Sequence, residues 1–145
     1  MIINSLGNKK VIEFSKLSKK KYREQNSEYL IIGMNAIGEA KNIKCEITTN
    51  SDYKSKNEIM LVNEEVMEKI TGQKPAPTNA AIVRINTSEF SKGSVIVLDE
   101  IQDPGNLGTI IRNVDAVGLK DLVLLKGTVD PYNEKCVRSS MSSIL

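Results

Sequence analysis

The chain has 145 residues, enough for one ordinary domain or two small ones, and its 40% hydrophobic and 26% charged content excludes a fibre, a disordered tail and a large multidomain machine. Histidine is absent and the cysteines number two, Cys45 and Cys136, far apart in sequence. That excludes Ser-His-Asp and Cys-His catalysis, the His-Glu-x-x-His zinc motif and a disulfide framework, so a reducing cytoplasm and no metal are expected. The N-terminal residues hold no apolar stretch long enough for a signal peptide, and no run approaches the roughly 20 apolar residues of a membrane span.

The net charge of +2 is unevenly spread. Residues 1–30 carry seven Lys/Arg against Glu13, Glu24 and Glu28, a net +4, which leaves −2 over the rest. Val11, Phe14, Leu17 and, less cleanly, Tyr22 follow helical spacing, which predicts a helix displaying Lys16, Lys19, Lys20, Lys21 and Arg23. Such a helix could follow phosphates; a lysine-rich face kept for solubility is the plainer alternative. Glu28-Tyr29-Leu30-Ile31-Ile32 then reads as a strand ending at Gly33, and residues 34–43 as a helix. Residues 45–49 and 58–62 read as strands separated by a polar loop, Asn50 to Asn57. Asn63 caps a helix whose Glu64 and Glu65 sit at the positive end of the dipole, and Gly72 closes it. After a loop containing Pro75 and Pro77, residues 80–85 resume strand character.

The polar segment 86–93 is the expected boundary between a first domain, 1–88, and a second, 94–145. The second opens with Ser94-Val95-Ile96-Val97-Leu98, an apolar run of the kind buried on both faces of a parallel sheet. A helix, the strand 122–125 and a helical segment from about Pro131 follow. The pattern is α/β, with little material to cover both sheet faces.

Between these strands, Pro104 and Gly105 predict a tight turn, Asn106 a helix N-cap and Gly118 its left-handed terminator. Leu107, Ile110, Ile111, Val114 and Val117 form the expected buried stripe, which turns Arg112 outward. Gly108 lies one turn before Arg112, and glycine within a helix costs roughly 0.5–1 kcal/mol relative to alanine. Its use there implies a close approach to the backbone; the simpler alternative is an exposed Arg112–Asp115 pair beside a tolerated glycine.

The run Leu98-Asp99-x-Ile101-Gln102-Asp103-Pro104-Gly105-Asn106-Leu107-Gly108-x-x-x-Arg112-x-x-Asp115-Ala116-x-Gly118 resembles the first motif of the SpoU/TrmH family of RNA ribose 2′-O-methyltransferases, in the SPOUT superfamily. Asp130-Pro131-Tyr132-Asn133-x-Lys135-x-Val137-Arg138-x-Ser140-Met141 is similar to the segment after that family's second strand. Residues 8–33 resemble its substrate-binding domain.

The resemblance implies a small ribosomal-protein-like substrate-binding domain, followed by the first part of an α/β trefoil-knot methyltransferase domain whose knot is missing. It implies methyl transfer from S-adenosylmethionine, without a metal, to a ribose 2′-oxygen of rRNA or tRNA. Arg112 then corresponds to the arginine that activates the hydroxyl and Asn106 to the asparagine that shapes the site. Lys9, Lys19, Lys20, Lys21 and Arg23 are the expected RNA contacts. Arginine is a poor proton acceptor, so the expected role of Arg112 is to stabilise developing alkoxide and hold a phosphate, or to act as a base only once desolvated. Family members are homodimers through the knotted domain, an interface in doubt for this chain. Two later motifs, which build the knot and most of the donor pocket, do not occur before Leu145, so the chain is expected to be inactive by itself and the donor-binding residues stay unassigned. Ser142 stands where the family has glycine, and Val114 and Val117 where it has alanine and phenylalanine. The alternatives are a non-catalytic RNA-binding module and phosphate binding at the helix start near Asn106.

Overall fold

The computed structural model describes residues 2–86 and 89–145. It divides into two compact units, Met1–Asn86 and Thr87–Leu145. Residues 87 and 88 of the expected boundary segment lie outside the described residues.

In the first unit, β1 (Glu28–Ile32), β2 (Ile43–Thr48), β3 (Ile59–Leu61) and β4 (Asn79–Arg84) form a sheet of order β1-β4-β2-β3. Strand β4 runs antiparallel to β1 and β2, whereas β2 and β3 are parallel. Leu30, Ile82 and Cys45 stand side by side across three strands. Because strand side chains alternate, that register assembles one apolar face. Helices α1 (Lys9–Ser15) and α4 (Glu64–Thr71) contribute Val11, Phe14, Val66, Met67 and Ile70 to the core against it. Each such buried side chain contributes about 1.5–3 kcal/mol. Asn63 caps α4 through a bond from Val66 N–H at 2.9 Å, and Gly72 ends it in the left-handed conformation at φ 67°. A shorter helix, α3 (Met34–Glu39), buries Ile37.

The single lysine-rich helix expected over residues 11–22 is instead two. After α1 comes a 3-10 turn, Lys16–Ser18; Lys19 is extended (φ −102°, ψ 132°), and α2 (Lys20–Asn26) starts anew. The apolar spacing itself ends at Leu17, since the next helical positions on that face are Lys20 and Lys21.

In the second unit, β5 (Val95–Leu98) and β6 (Asp121–Leu124) pair in parallel, joined through α5 (Pro104–Ala116); α6 (Glu134–Ser139) follows. Leu107, Ile111 and Cys136 are the buried centre, with Leu98, Ile101, Leu122 and Leu124 packed on it. The expectation that β5 is buried on both faces is corrected: Val95 and Val97 are 46% and 52% exposed. Within this unit α5 and α6 pack against each other, and the alternate residues of β5 lack such cover. The segment before β5 is tied down by Ser91, whose backbone N–H (2.9 Å) and hydroxyl both donate to the buried Asp121 carboxylate.

Candidate functional site

The helix that carries the motif starts earlier than its sequence indicates. Asp103, not Asn106, is the N-cap: its carboxylate accepts from Asn106 N–H at 2.8 Å, and Pro104 begins the helix. Proline is suited to that position because its missing N–H would have no partner there. The bond from Asn106 N–H, joined by Lys135 Nζ at 3.3 Å, holds the Asp103 carboxyl below its ordinary pKa. Relieved of capping, the Asn106 side chain is exposed and makes no hydrogen bond among the described residues.

At the other end, Leu119 N–H bonds Val114 C=O at 3.1 Å and Gly118 N–H bonds Asp115 C=O at 2.9 Å. With Gly118 at φ 75° this is a Schellman motif, which satisfies carbonyls the helix would otherwise leave open. Leu107, Ile111 and Val114 are buried as expected, but Val117 falls in the cap and is 72% exposed.

Arg112 is exposed, about one and two-thirds turns beyond Asn106. No ion pair joins it to Asp115 among the described residues; its Nη1 instead donates to Met141 Sδ at 3.0 Å. Met141 and Ser142, beyond α6, both adopt left-handed backbone, at φ 47° and 71°.

Gly108 requires a correction. A Cβ there would lie 1.9 Å from Ser139 Oγ and 2.5 Å from Cys136 C=O. The close approach inferred from this glycine is therefore made by α6, not by a ligand, and a substrate must reach α5 elsewhere. Such a place exists. A cleft of about 480 Å³ is lined by residues 100–103 together with Asn106, Thr109 and Ile110.

In the first unit, Lys9, Lys19, Lys20 and Lys21 are exposed, at the start of α1 and around the break before α2. Lys20 pairs loosely with Glu24 (3.6 Å), and Lys16 lies over the Tyr22 ring at 5.4 Å. Arg23 is a correction: it is buried, 5% exposed, and its Nη1 donates to Leu17 C=O (2.7 Å) and Ser18 C=O (2.9 Å). The guanidinium satisfies carbonyls at the helix break and has no free face for RNA.

Sequence reasoning missed the polar cluster at Glu46. This strand carboxylate is 2% exposed and accepts from Tyr53 OH (2.5 Å), Asn57 Nδ2 (2.6 Å) and Ser55 Oγ (2.8 Å). Burial raises its pKa, and the three bonds more than reverse that, leaving it below the ordinary value. The bond to Glu46 also pushes the Tyr53 hydroxyl up to about 12. The available signal was the alternation of Tyr53, Ser55 and Asn57 with Lys54 and Lys56, which sends the first three inward when the loop is extended.

Residues 93–145 match the SpoU rRNA Methylase family model. The chain is 32% identical to the 23S rRNA (guanosine(2553)-2′-O)-methyltransferase RlmP of Bacillus subtilis, over 97% of this chain and 61% of the relative. Its fold is similar to the crystal structure of an rRNA methyltransferase from Sinorhizobium meliloti, with TM-score 0.81 and 27% identity over 99% of this chain and 62% of the other. The AdoMet-bound form of that enzyme matches equally, at TM-score 0.81 and 27% identity over 99% and 61% of the two chains. The chain thus spans somewhat less than two thirds of the length of these relatives. The chain is thus similar to rRNA methyltransferases along nearly its whole length, and residues 93–145 are the part that matches the SpoU rRNA Methylase family model.

Proposed function

We propose that these residues are the substrate-side portion of an RNA ribose 2′-O-methyltransferase that modifies ribosomal RNA. The observation that carries this reading is the exposed, unpaired-by-carboxylate guanidinium of Arg112, on the same helix as a cleft lined by Asn106. In this reading the first unit is a ribosomal-protein-like RNA-binding domain and the second the start of a knotted methyltransferase domain. Lys9, Lys19, Lys20 and Lys21 attract phosphates without reading sequence.

S-adenosylmethionine, the donor implied by the family, supplies an electrophilic methyl group. The cleft beside Asn106 is lined by Glu100 and Asp103, and the cation beside it, Lys135, is paired with Asp103 at 3.3 Å, so its lining offers the donor's carboxylate no partner of opposite charge. The chain's own residues act on the RNA. Arg112 lies against a soft thioether that an oxyanion or phosphate would displace readily. Its planar fork stabilises the negative charge that develops on the 2′-oxygen as its proton passes to solvent water, rather than taking that proton itself. By themselves residues 1–145 bind RNA and do not methylate it.

The test is a chimera in which residues 1–145 replace the aligned part of the Bacillus subtilis relative, incubated with ribosomal RNA and labelled donor. A 2′-O-methyl group removes the nucleophile for strand cleavage, so the expected product is a label resistant to alkaline hydrolysis. A folded chimera whose label is fully alkali-labile, or absent from every RNA offered, rejects the assignment.

A further inference from the structure

We infer that Thr109 is a specificity-determining residue that accepts a hydrogen bond from the ribose 2′-hydroxyl, an inference that rests on the ribose reading above. Asn106, Thr109 and Arg112 follow one another at three-residue spacing on α5, and all three are exposed. Side chains so spaced are neighbours on a helix, with Cβ atoms about 5–6 Å apart. Thr109 is therefore the middle member of a ridge whose outer members are the two motif residues, and with Asn106 it lines the 480 Å³ cleft. The α6-facing side of the helix is closed at Gly108 and Arg112 reaches Met141 beyond α6, so Asn106 and Thr109 are the ridge members that line the open cleft.

The chemistry of the threonine follows from where its proton goes. Thr109 Oγ1 donates to Gly105 C=O at 3.0 Å. A hydroxyl has one hydrogen and two lone pairs, so what Thr109 shows the cleft is acceptor capacity. A phosphate offers only acceptors and is matched by Arg112, one turn along. The ribose 2′-hydroxyl is a donor on the same nucleotide, and Thr109 matches it. Two adjacent side chains thus present a donor fork and an acceptor, the complement of a sugar-phosphate unit that still carries its 2′ proton. Neither DNA nor the 2′-O-methyl product has that proton, so the same contact rejects the wrong polymer and favours product release.

The experiment uses this chain with three probes: a short oligouridylate, the 2′-deoxy oligomer and the 2′-O-methyl oligomer of the same sequence. Wild type is expected to bind the ribose form about fivefold more tightly than either analogue, the ordinary worth of one hydrogen bond. Thr109→Ser should keep that preference and Thr109→Val, matched in shape but without the acceptor, should abolish it. Both variants change an exposed position, and equal melting temperatures confirm their folding. A Thr109→Val protein that retains the full wild-type preference overturns the inference while leaving the ribose reading intact. Wild type that binds none of the probes, or all three alike, removes the ribose reading itself and this inference with it.

Discussion

Gly108 on α5 and Ser139 on α6 touch so closely that a methyl group on the former would coincide with the hydroxyl of the latter, 1.9 Å away. The Cys136 carbonyl, 2.5 Å from the same point, is backbone and cannot rotate aside. Gly108→Ala should therefore destabilise the second unit by about 1–3 kcal/mol through overpacking, outweighing the roughly 0.5–1 kcal/mol that alanine gains in helix propensity. Urea unfolding of the two proteins measures the difference; a more stable alanine variant would mean that α6 does not lie where it is described. Gly108→Ala with Ser139→Gly should recover only part of the loss, because the carbonyl contact remains.

Basic residues in the first unit divide into two kinds with opposite signatures. Arg23→Ala removes hydrogen bonds from a charged donor to two carbonyls and should cost about 1.5–3 kcal/mol of stability. Replacing Lys19, Lys20 and Lys21 with glutamine should move stability by less than about 0.5 kcal/mol. That triple variant should weaken RNA binding and flatten the dependence of log K on log salt by up to about 2 for single-stranded RNA. Titrations at several salt concentrations distinguish the cases, and an unchanged slope would show that the three lysines do not meet phosphate.

Arg112 is exposed, so Arg112→Ala and Arg112→Lys should both fold normally, within about 0.5 kcal/mol of wild type. In the chimera described above, the two should lose methyl transfer to a similar extent, because a lysine keeps the charge and loses the fork. Full activity of Arg112→Ala would take the residue out of the mechanism. Activity of the lysine variant near wild type would make the role that of a point charge.

Glu46 contributes pH dependence of a defined sign. Its pKa in the folded protein lies below the ordinary 4.5, so its bonds to Tyr53, Ser55 and Asn57 stabilise the fold fully above that value. The contribution declines as pH falls below about 4.5 and through the folded pKa. Glu46→Gln, which cannot titrate, should be less stable at neutral pH and should show a shallower loss of stability on acidification. Parallel acid titrations of the two proteins by circular dichroism provide the comparison, and identical curves would deny the cluster its role.

Ser142, at φ 71°, occupies backbone that costs an L-residue roughly 1–2 kcal/mol. Ser142→Gly removes that strain and pays part of it back in chain entropy, so a gain of up to about 1 kcal/mol is expected in the unfolding of the second unit. A destabilised glycine variant would indicate that the serine side chain holds the turn in some other way.

Much of this protein was legible from local pattern. The apolar runs in residues 28–32 and 80–85, the cap at Asn63, the terminators Gly72 and Gly118, and the outward direction of Arg112 each depend on neighbours within a turn or two, and the structure places each as that pattern implies. Contacts that the periodicity does not name decided the rest. Asn106 and Asp103 are both good caps by composition, and Pro104, with Lys135 beside Asp103, makes Asp103 the cap. The same glycine signal at position 108 would attend a ligand or a helix, and only the arrival of α6, some 30 residues later, selects the helix. Arg23 reads as one more surface cation until the helix breaks at Lys19 and leaves carbonyls for it to satisfy. Local propensity specifies the kind of element and the direction of a side chain along it. What then fills the space in front of that side chain depends on packing between segments that the order of residues alone does not bring together.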